Sequence, residues 1–264
     1  MITRRQILTF LWATLSGGLT LCAQSFDESA SNSSHHTRDR TLSAIPTEPG
    51  QSLAAGRFSW HEQIVTTVFW IGETPSGNNP VPNRSSAWDL NWARNFGGSD
   101  SPDRRFRADF IPSRFMPRQN PFYLALPYND VCGGRTKPEA SKVIPWFKES
   151  FAQSGHSVLK DRWVAVRRSN RVCYAQWEDV GPFRSDHWEY VFGTDRPRAN
   201  LNCGAGLDVS PAIRDYLGMS NTDVTDWRFV EFSEVPPGPW TLYGENNTFV
   251  IERRKQERAF AKKQ

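Results

Sequence analysis

Residues 173–219 read CYAQWEDVGPFRSDHWEYVFGTDRPRANLNCGAGLDVSPAIRDYLGM, and this stretch decides the fold. It has three parts. Residues 171–177 alternate as a strand should, with β-favouring Val172, Tyr174 and Trp177. Residues 178–183, EDVGPF, are expected to break that strand, because a Gly-Pro pair punctuates and Asp readily caps a turn. Further on, Gly206, Leu207, Asp208 and Val209 predict a short strand running straight into a helix. Ser210 suits the N-cap and Pro211 the first helical position. Ala212, Ile213, Tyr216 and Leu217 give that helix one apolar face, and Gly218 stops it.

A strand ending Asp-x-Gly-Pro-Phe, a loop, then Leu-Asp-x-Ser-Pro-Ala and a helix ending Leu-Gly resembles the double-psi β-barrel. The similar residues are Asp179, Gly181, Pro182, Phe183, Leu207, Asp208, Ser210, Ala212, Leu217 and Gly218. The nearest in look are the rare lipoprotein A group of bacterial wall proteins, then expansins and the small inverting endoglucanases. The likeness is direct over residues 162–230 and looser from Thr66 onward. It implies an all-β fold: a six-stranded double-psi β-barrel with long loop insertions and one or two short helices.

Working outward, the remaining pattern agrees with a small barrel. Residues 57–62 and 65–71 are strand-like, and residues 121–127 (PFYLALP) suit a buried strand. Residues 162–167 and 171–177 flank Ser169-Asn170 and read as a hairpin. Residues 227–232 and 239–243 complete the set. Residues 74–121 are rich in Pro and predict a long loop, which in a compact domain signals a functional surface or a packed insertion. Within residues 137–153, Pro138 and Pro145 leave room for a short helix at most. Such strands with so little helix fit a barrel better than a βαβ sheet.

The chain begins as an exported protein would. Residues 1–23 carry Arg4 and Arg5 ahead of an apolar run too short for a membrane span, which needs about 20 apolar residues. Two export signals fit: a twin-arginine signal on Thr3 to Leu8, or a general secretory signal whose arginines happen to adjoin. Cys22 would suit lipidation, but Leu21 stands where a small residue is wanted. Residues 24–56 are polar and without apolar periodicity, so they read as a disordered tether, with His35 and His36 incidental in it. The barrel is expected over residues 57–245, followed by a charged tail at 246–264.

Net charge is only +4, with no basic cluster interleaved with aromatics, so nucleic-acid reading is set aside. Beyond the signal segment no membrane span is expected. The spacings of 41 and 30 residues between Cys132, Cys173 and Cys203 match no zinc pattern. In an exported protein they predict one disulfide and one spare thiol. No Gly-rich phosphate loop, nucleophile elbow or Cys-His pairing is present, and no cofactor or metal is expected.

In the resembling families an Asp at the position of Asp208 protonates a glycosidic oxygen or grips the sugar. A carboxyl losing solvation in a groove has the raised pKa this needs. The competing reading has Asp208 capping the following helix, which would lower its pKa instead. Asp179 matches an Asp of the family's Asn-Asp-Arg-Gly-Pro-Phe block, although Glu178 and Val180 replace its neighbours; a turn-stabilising role competes with a catalytic one. Inverting hydrolysis needs a second carboxylate about 6.5–9.5 Å away. In the endoglucanases it follows a Thr-x-Tyr-Trp run. Here Thr67-Val68-Phe69-Trp70 is followed by Ile71, and Glu73 is the remaining candidate.

The chain has 11 Trp, an excess that suits sugar-stacking platforms. Trp70, Tyr174, Trp177, His187 and Trp188 are the candidate sugar contacts, with core packing the alternative for each Trp. The expected partner is therefore a polysaccharide, peptidoglycan or another wall glycan. Two function classes stay open: a lytic transglycosylase-like enzyme acting through Asp208, and an expansin-like module that binds glycan without cutting it.

Overall fold

Six strands carry the fold: β1 (His61–Val68), β2 (Tyr123–Leu126), β3 (Trp163–Arg168), β4 (Arg171–Val180), β5 (Leu207–Val209) and β6 (Thr222–Phe229). The structure, a computed structural model, describes residues 57–77 and 79–262. The expected export signal, Cys22, the expected tether and the His35-His36 pair lie outside the described residues. The strands close into one barrel in the order β1-β6-β3-β4-β2-β5, with β5 returning to β1. Closure leaves no open edge. The pairs β1/β5 and β2/β4 are parallel, and the other four are antiparallel. A parallel pair cannot be joined by a tight turn, which is why long connections precede β2 and β5.

The hairpin at Ser169-Asn170 forms as predicted, with Ser169 in the left-handed region at φ 52°. β4, however, does not stop at Trp177. It runs to Val180 because Asp179 and Val180 pair with Ala125 and Leu126 of β2, past a bulge between Leu124 and Ala125. The break falls at Gly181-Pro182, where proline has no N–H to give the ladder. β6 likewise begins earlier than its aromatic residues suggest. Its polar first half, Thr222 to Asp226, is recruited by β1.

Trp177 and Trp227 fill the barrel interior, both wholly buried, with Phe229 stacked on Trp177 at 5.8 Å. Residues 239–243 are not a strand. Pro239–Thr241 is a 3-10 turn that sets Trp240 against Tyr174 and Tyr216. Two short helices, Ala140–Val143 and Phe147–Ser150, occupy the stretch around Pro145. The charged tail is a helix, Thr248–Ala261, capped by Asn247, whose side chain accepts from the Phe249 N–H at 3.1 Å. Among the described residues no helix is long and apolar enough to cross a membrane.

The long loop at 74–121 carries its own apolar cluster. Trp92 and Phe96, on the short helix Trp92–Phe96, pack with Phe69, Ile71, Tyr123 and Ala125 against the outer face of the barrel. It is a packed insertion, and this explains how so long a loop stays ordered.

The expected disulfide does not form among Cys132, Cys173 and Cys203. Cys173 points into the barrel and is wholly buried, while Cys132 is exposed on the small hairpin formed by Val131–Cys132 and Arg135–Thr136. A thiol inside the wall has no path to one on a surface hairpin without opening the barrel.

Candidate functional site

Strand register assembles the site. β5 places Asp208 beside Thr67 of β1 on one side and beside Ala125 of β2 on the other. The next strand places Asp179 beside Ala125. Thr67, Asp208, Ala125 and Asp179 thus form a row across four adjacent strands. Neighbours across a ladder point to the same face, so both carboxylates emerge together. Their backbones lie two strand spacings apart, about 10 Å.

The row forms the floor of a cleft of about 700 Å³. One wall is the loop holding Glu73, Asn79, Asn83 and Ser86; the other includes Gly181, Phe183, Asn202 and Asn221. Gly181 lies directly beside Asp208: a Cβ there would be in ordinary contact with Asp208 Oδ2, at 3.7 Å. The lining is rich in Asn and Ser, groups that both donate and accept hydrogen bonds, as a polyhydroxyl ligand requires.

Asp208 does not cap the following helix, α1 (Pro211–Leu217). Ser210 does that, its Oγ accepting from the Ile213 N–H at 3.4 Å. Gly218 ends α1 in the left-handed region at φ 68°. Asp208 Oδ1 accepts instead from the Thr67 hydroxyl. Burial pushes the Asp208 carboxyl up to about 7; the Thr67 bond opposes this, and the charges of Glu73 and Asp179 add to it. At neutral pH a large share of Asp208 therefore holds a proton beside an open cleft.

Asp179 is raised to about 6 by burial, against the pull of two backbone amides, Ala87 and Val180. Glu73 is also raised by burial, opposed by hydrogen bonds from Asn79, the Trp70 backbone and Asn83, the last at 2.9 Å to Oε2. Glu73 reaches the cleft because the chain turns at Gly72, φ +86°, where a Cβ would sit 2.2 Å from Ser99 Oγ. Ile71 packs away into the apolar cluster beneath. The three carboxylates therefore share one cleft. Among the described residues no cluster of three or more His, Cys, Asp or Glu is arranged to hold a metal.

The other sequence candidates lie elsewhere. Trp177 is core, its indole N–H donating to the Asp179 carbonyl at 2.7 Å, so it supports the floor from below. Tyr174 packs on Trp240, and Trp188 packs against the main core. His187 is buried beside Tyr190, with its pKa lowered chiefly by burial. Trp70 is half-buried, and it touches the site through its backbone bonds to Glu73. None of these five lines the cleft. The exposed aromatic at its edge is Phe183, 44% accessible, just after Gly181-Pro182. Sequence reasoning also missed Thr67, Asn79 and Asn83. Phe183 stood within the quoted Asp-x-Gly-Pro-Phe block, but the other three acquire their place only through register and loop packing.

Fold and site together define a closed, mixed six-stranded β-barrel with an acidic, amide-lined cleft on one wall. The chain matches no described protein family and no curated protein.

Proposed function

We propose that the protein is an exported, cell-wall-associated double-psi barrel that cleaves a polysaccharide in the manner of a lytic transglycosylase, with Asp208 as general acid. The observation that carries this reading is Asp208 itself. It is a carboxyl raised to about 7 at the β5–α1 corner, opening on a polar cleft. The closed barrel with two parallel pairs is compatible with the double-psi topology that the Asp-x-Gly-Pro-Phe and Leu-Asp-x-Ser-Pro-Ala blocks suggest.

On this reading Asp208 gives its proton to the glycosidic oxygen as the bond from that oxygen to C1 breaks. The 6-hydroxyl of the same muramyl residue then bonds to C1, and its proton returns to the Asp208 carboxylate. No external base is consumed. A second reading, hydrolysis, is favoured by one feature: Glu73 shares the cleft, and its charge acts on Asp208. Water activated by Glu73 would then attack C1.

Digestion of purified peptidoglycan, followed by mass spectrometry, separates the alternatives. Anhydro-muramyl ends support transglycosylation, and new reducing ends support hydrolysis. Sedimentation with the wall material and no product would point to a binding module of expansin type.

A further inference from the structure

The cleft has one wall that the barrel does not supply. Residues 83–88 form part of this wall, contributing Asn83, Ser85, Ser86 and Ala87 to the lining. The base of this loop is closed on itself, by Gly72 N–H to Asn83 O at 2.7 Å and Asn83 N–H to Glu73 O at 3.1 Å. Ser86 turns the chain inward upon Asp89. At the far end, Trp88 Nε1 donates to Asn129 Oδ1 at 3.0 Å, and its ring meets Trp177 edge-on at 5.8 Å. Between these anchors, the segment is fastened to the barrel floor at Ala87. The Ala87 N–H donates to Asp179 Oδ1 at 2.8 Å, across 92 positions of sequence. The same oxygen accepts from the Val180 N–H at 2.7 Å, which fixes the carboxylate in place.

We propose that Asp179 is a positioning residue: it clasps the 83–88 segment to the barrel floor and so sets the width of the glycan cleft beside Asp208. Both bonds to Oδ1 are made by backbone amides, so that oxygen is committed to holding the wall. Trp177 braces the same point from inside through its bond to the Asp179 carbonyl. An asparagine could hold the same two N–H groups with its side-chain oxygen, because an amide carbonyl accepts as a carboxylate does. A proton donor or acceptor could not be replaced in this way.

The test compares Asp179→Ala and Asp179→Asn in the full chain by two readouts. The first is hydrogen exchange at the Ala87 amide, which reports the clasp whether or not the protein is an enzyme. Ala87 is exposed, so an amide released from Asp179 should exchange at least about tenfold faster, as for loss of a hydrogen bond to a charged group. Asp179→Asn should restore protection. The second readout rests on the glycan-cleaving reading. Asp179→Ala should raise KM with kcat largely kept, and Asp179→Asn should bring KM back. Ala87→Pro removes the donor and leaves the carboxylate untouched. It should reproduce the KM increase, and it stands in should Asp179→Ala not fold. Unchanged exchange at Ala87 in Asp179→Ala, or an unchanged KM in Ala87→Pro, overturns the clasp. So does an Asp179→Asn variant that protects Ala87 yet loses kcat as fully as Asp179→Ala. Normal exchange behaviour with no glycan product in any variant, the parent included, would leave the clasp standing and remove the glycan-cleaving reading.

Discussion

Asp208→Asn should lower turnover on wall glycan by about 10²–10⁴-fold while leaving glycan binding nearly unchanged, the range that acid–base catalysis supplies. The substitution keeps the side chain's size and its ability to accept from the Thr67 hydroxyl, and removes only the titratable proton. A pH profile provides the companion measurement. The acid must be protonated to act, and its pKa is about 7. Turnover of the parent should therefore fall as pH rises through about 7. The effect on stability runs in the same direction. A carboxyl raised in the folded state holds its proton more tightly there than in the unfolded chain, so its contribution is complete below the unfolded value, about 4, and is lost as pH rises through 7. At pH 8 the Asp208→Asn variant should melt no lower than the parent, because the ionised carboxylate is then a burden on the fold. Undiminished product from a normally melting variant would remove Asp208 from the mechanism.

How much of this was legible beforehand follows from the distance over which each feature is decided. The β5–α1 corner was readable in full, because Ser210, Pro211 and Gly218 act within a few residues of themselves. The β3/β4 hairpin was readable for the same reason. The end of β4 was not. Whether Asp179 belongs to a turn or a strand depends on Ala125, which is remote in sequence. The supposed strand at 239–243 failed similarly: Trp240 looks like strand material, yet it serves as a plug against Tyr174 and Tyr216.

The aromatic residues illustrate the limit most plainly. Excess tryptophan fits a sugar platform, but Trp177 and Trp227 are spent on the main core, and Trp92 serves the cluster beneath the long loop. The polar lining is supplied by residues such as Asn79, Asn83 and Ser86, whose loop gives no periodic signal. Glu73 is a mixed case. Its place after the Thr67-to-Trp70 run marked it as a candidate, while its entry into the cleft depends on the left-handed turn at Gly72.

That turn has a hidden support, which yields the second large effect. Asp100 is buried beneath the site. Its carboxylate accepts from Arg107, from the Tyr123 hydroxyl at 3.0 Å and from the Ser101 N–H at 2.9 Å. The Tyr123 oxygen in turn accepts from the Ile71 N–H at 3.1 Å, while the Asp100 N–H donates to the Ile71 carbonyl at 2.8 Å. Ile71 is thereby gripped on both sides two residues before Glu73. The Asp100 and Arg107 side chains are 0% and 2% exposed, so removing one partner leaves the other charge stranded in the interior. Asp100→Ala should cost about 3–5 kcal/mol in urea unfolding, toward the lower end because Asp215 still sits 3.3 Å from Arg107 Nε. Tyr123→Phe keeps the ion pair and removes the hydroxyl that Ile71 and Asp100 share. It should cost less, about 1–3 kcal/mol, and loosen the Gly72 turn that presents Glu73. The two variants should be strongly non-additive, because both act on one network. An Asp100→Ala protein within about 0.5 kcal/mol of the parent, the range of an ordinary surface change, would show that the insertion is not held by this pair. The cleft wall would then depend on the Trp92–Phe96 cluster and on the bonds at Asn83, Ala87 and Trp88.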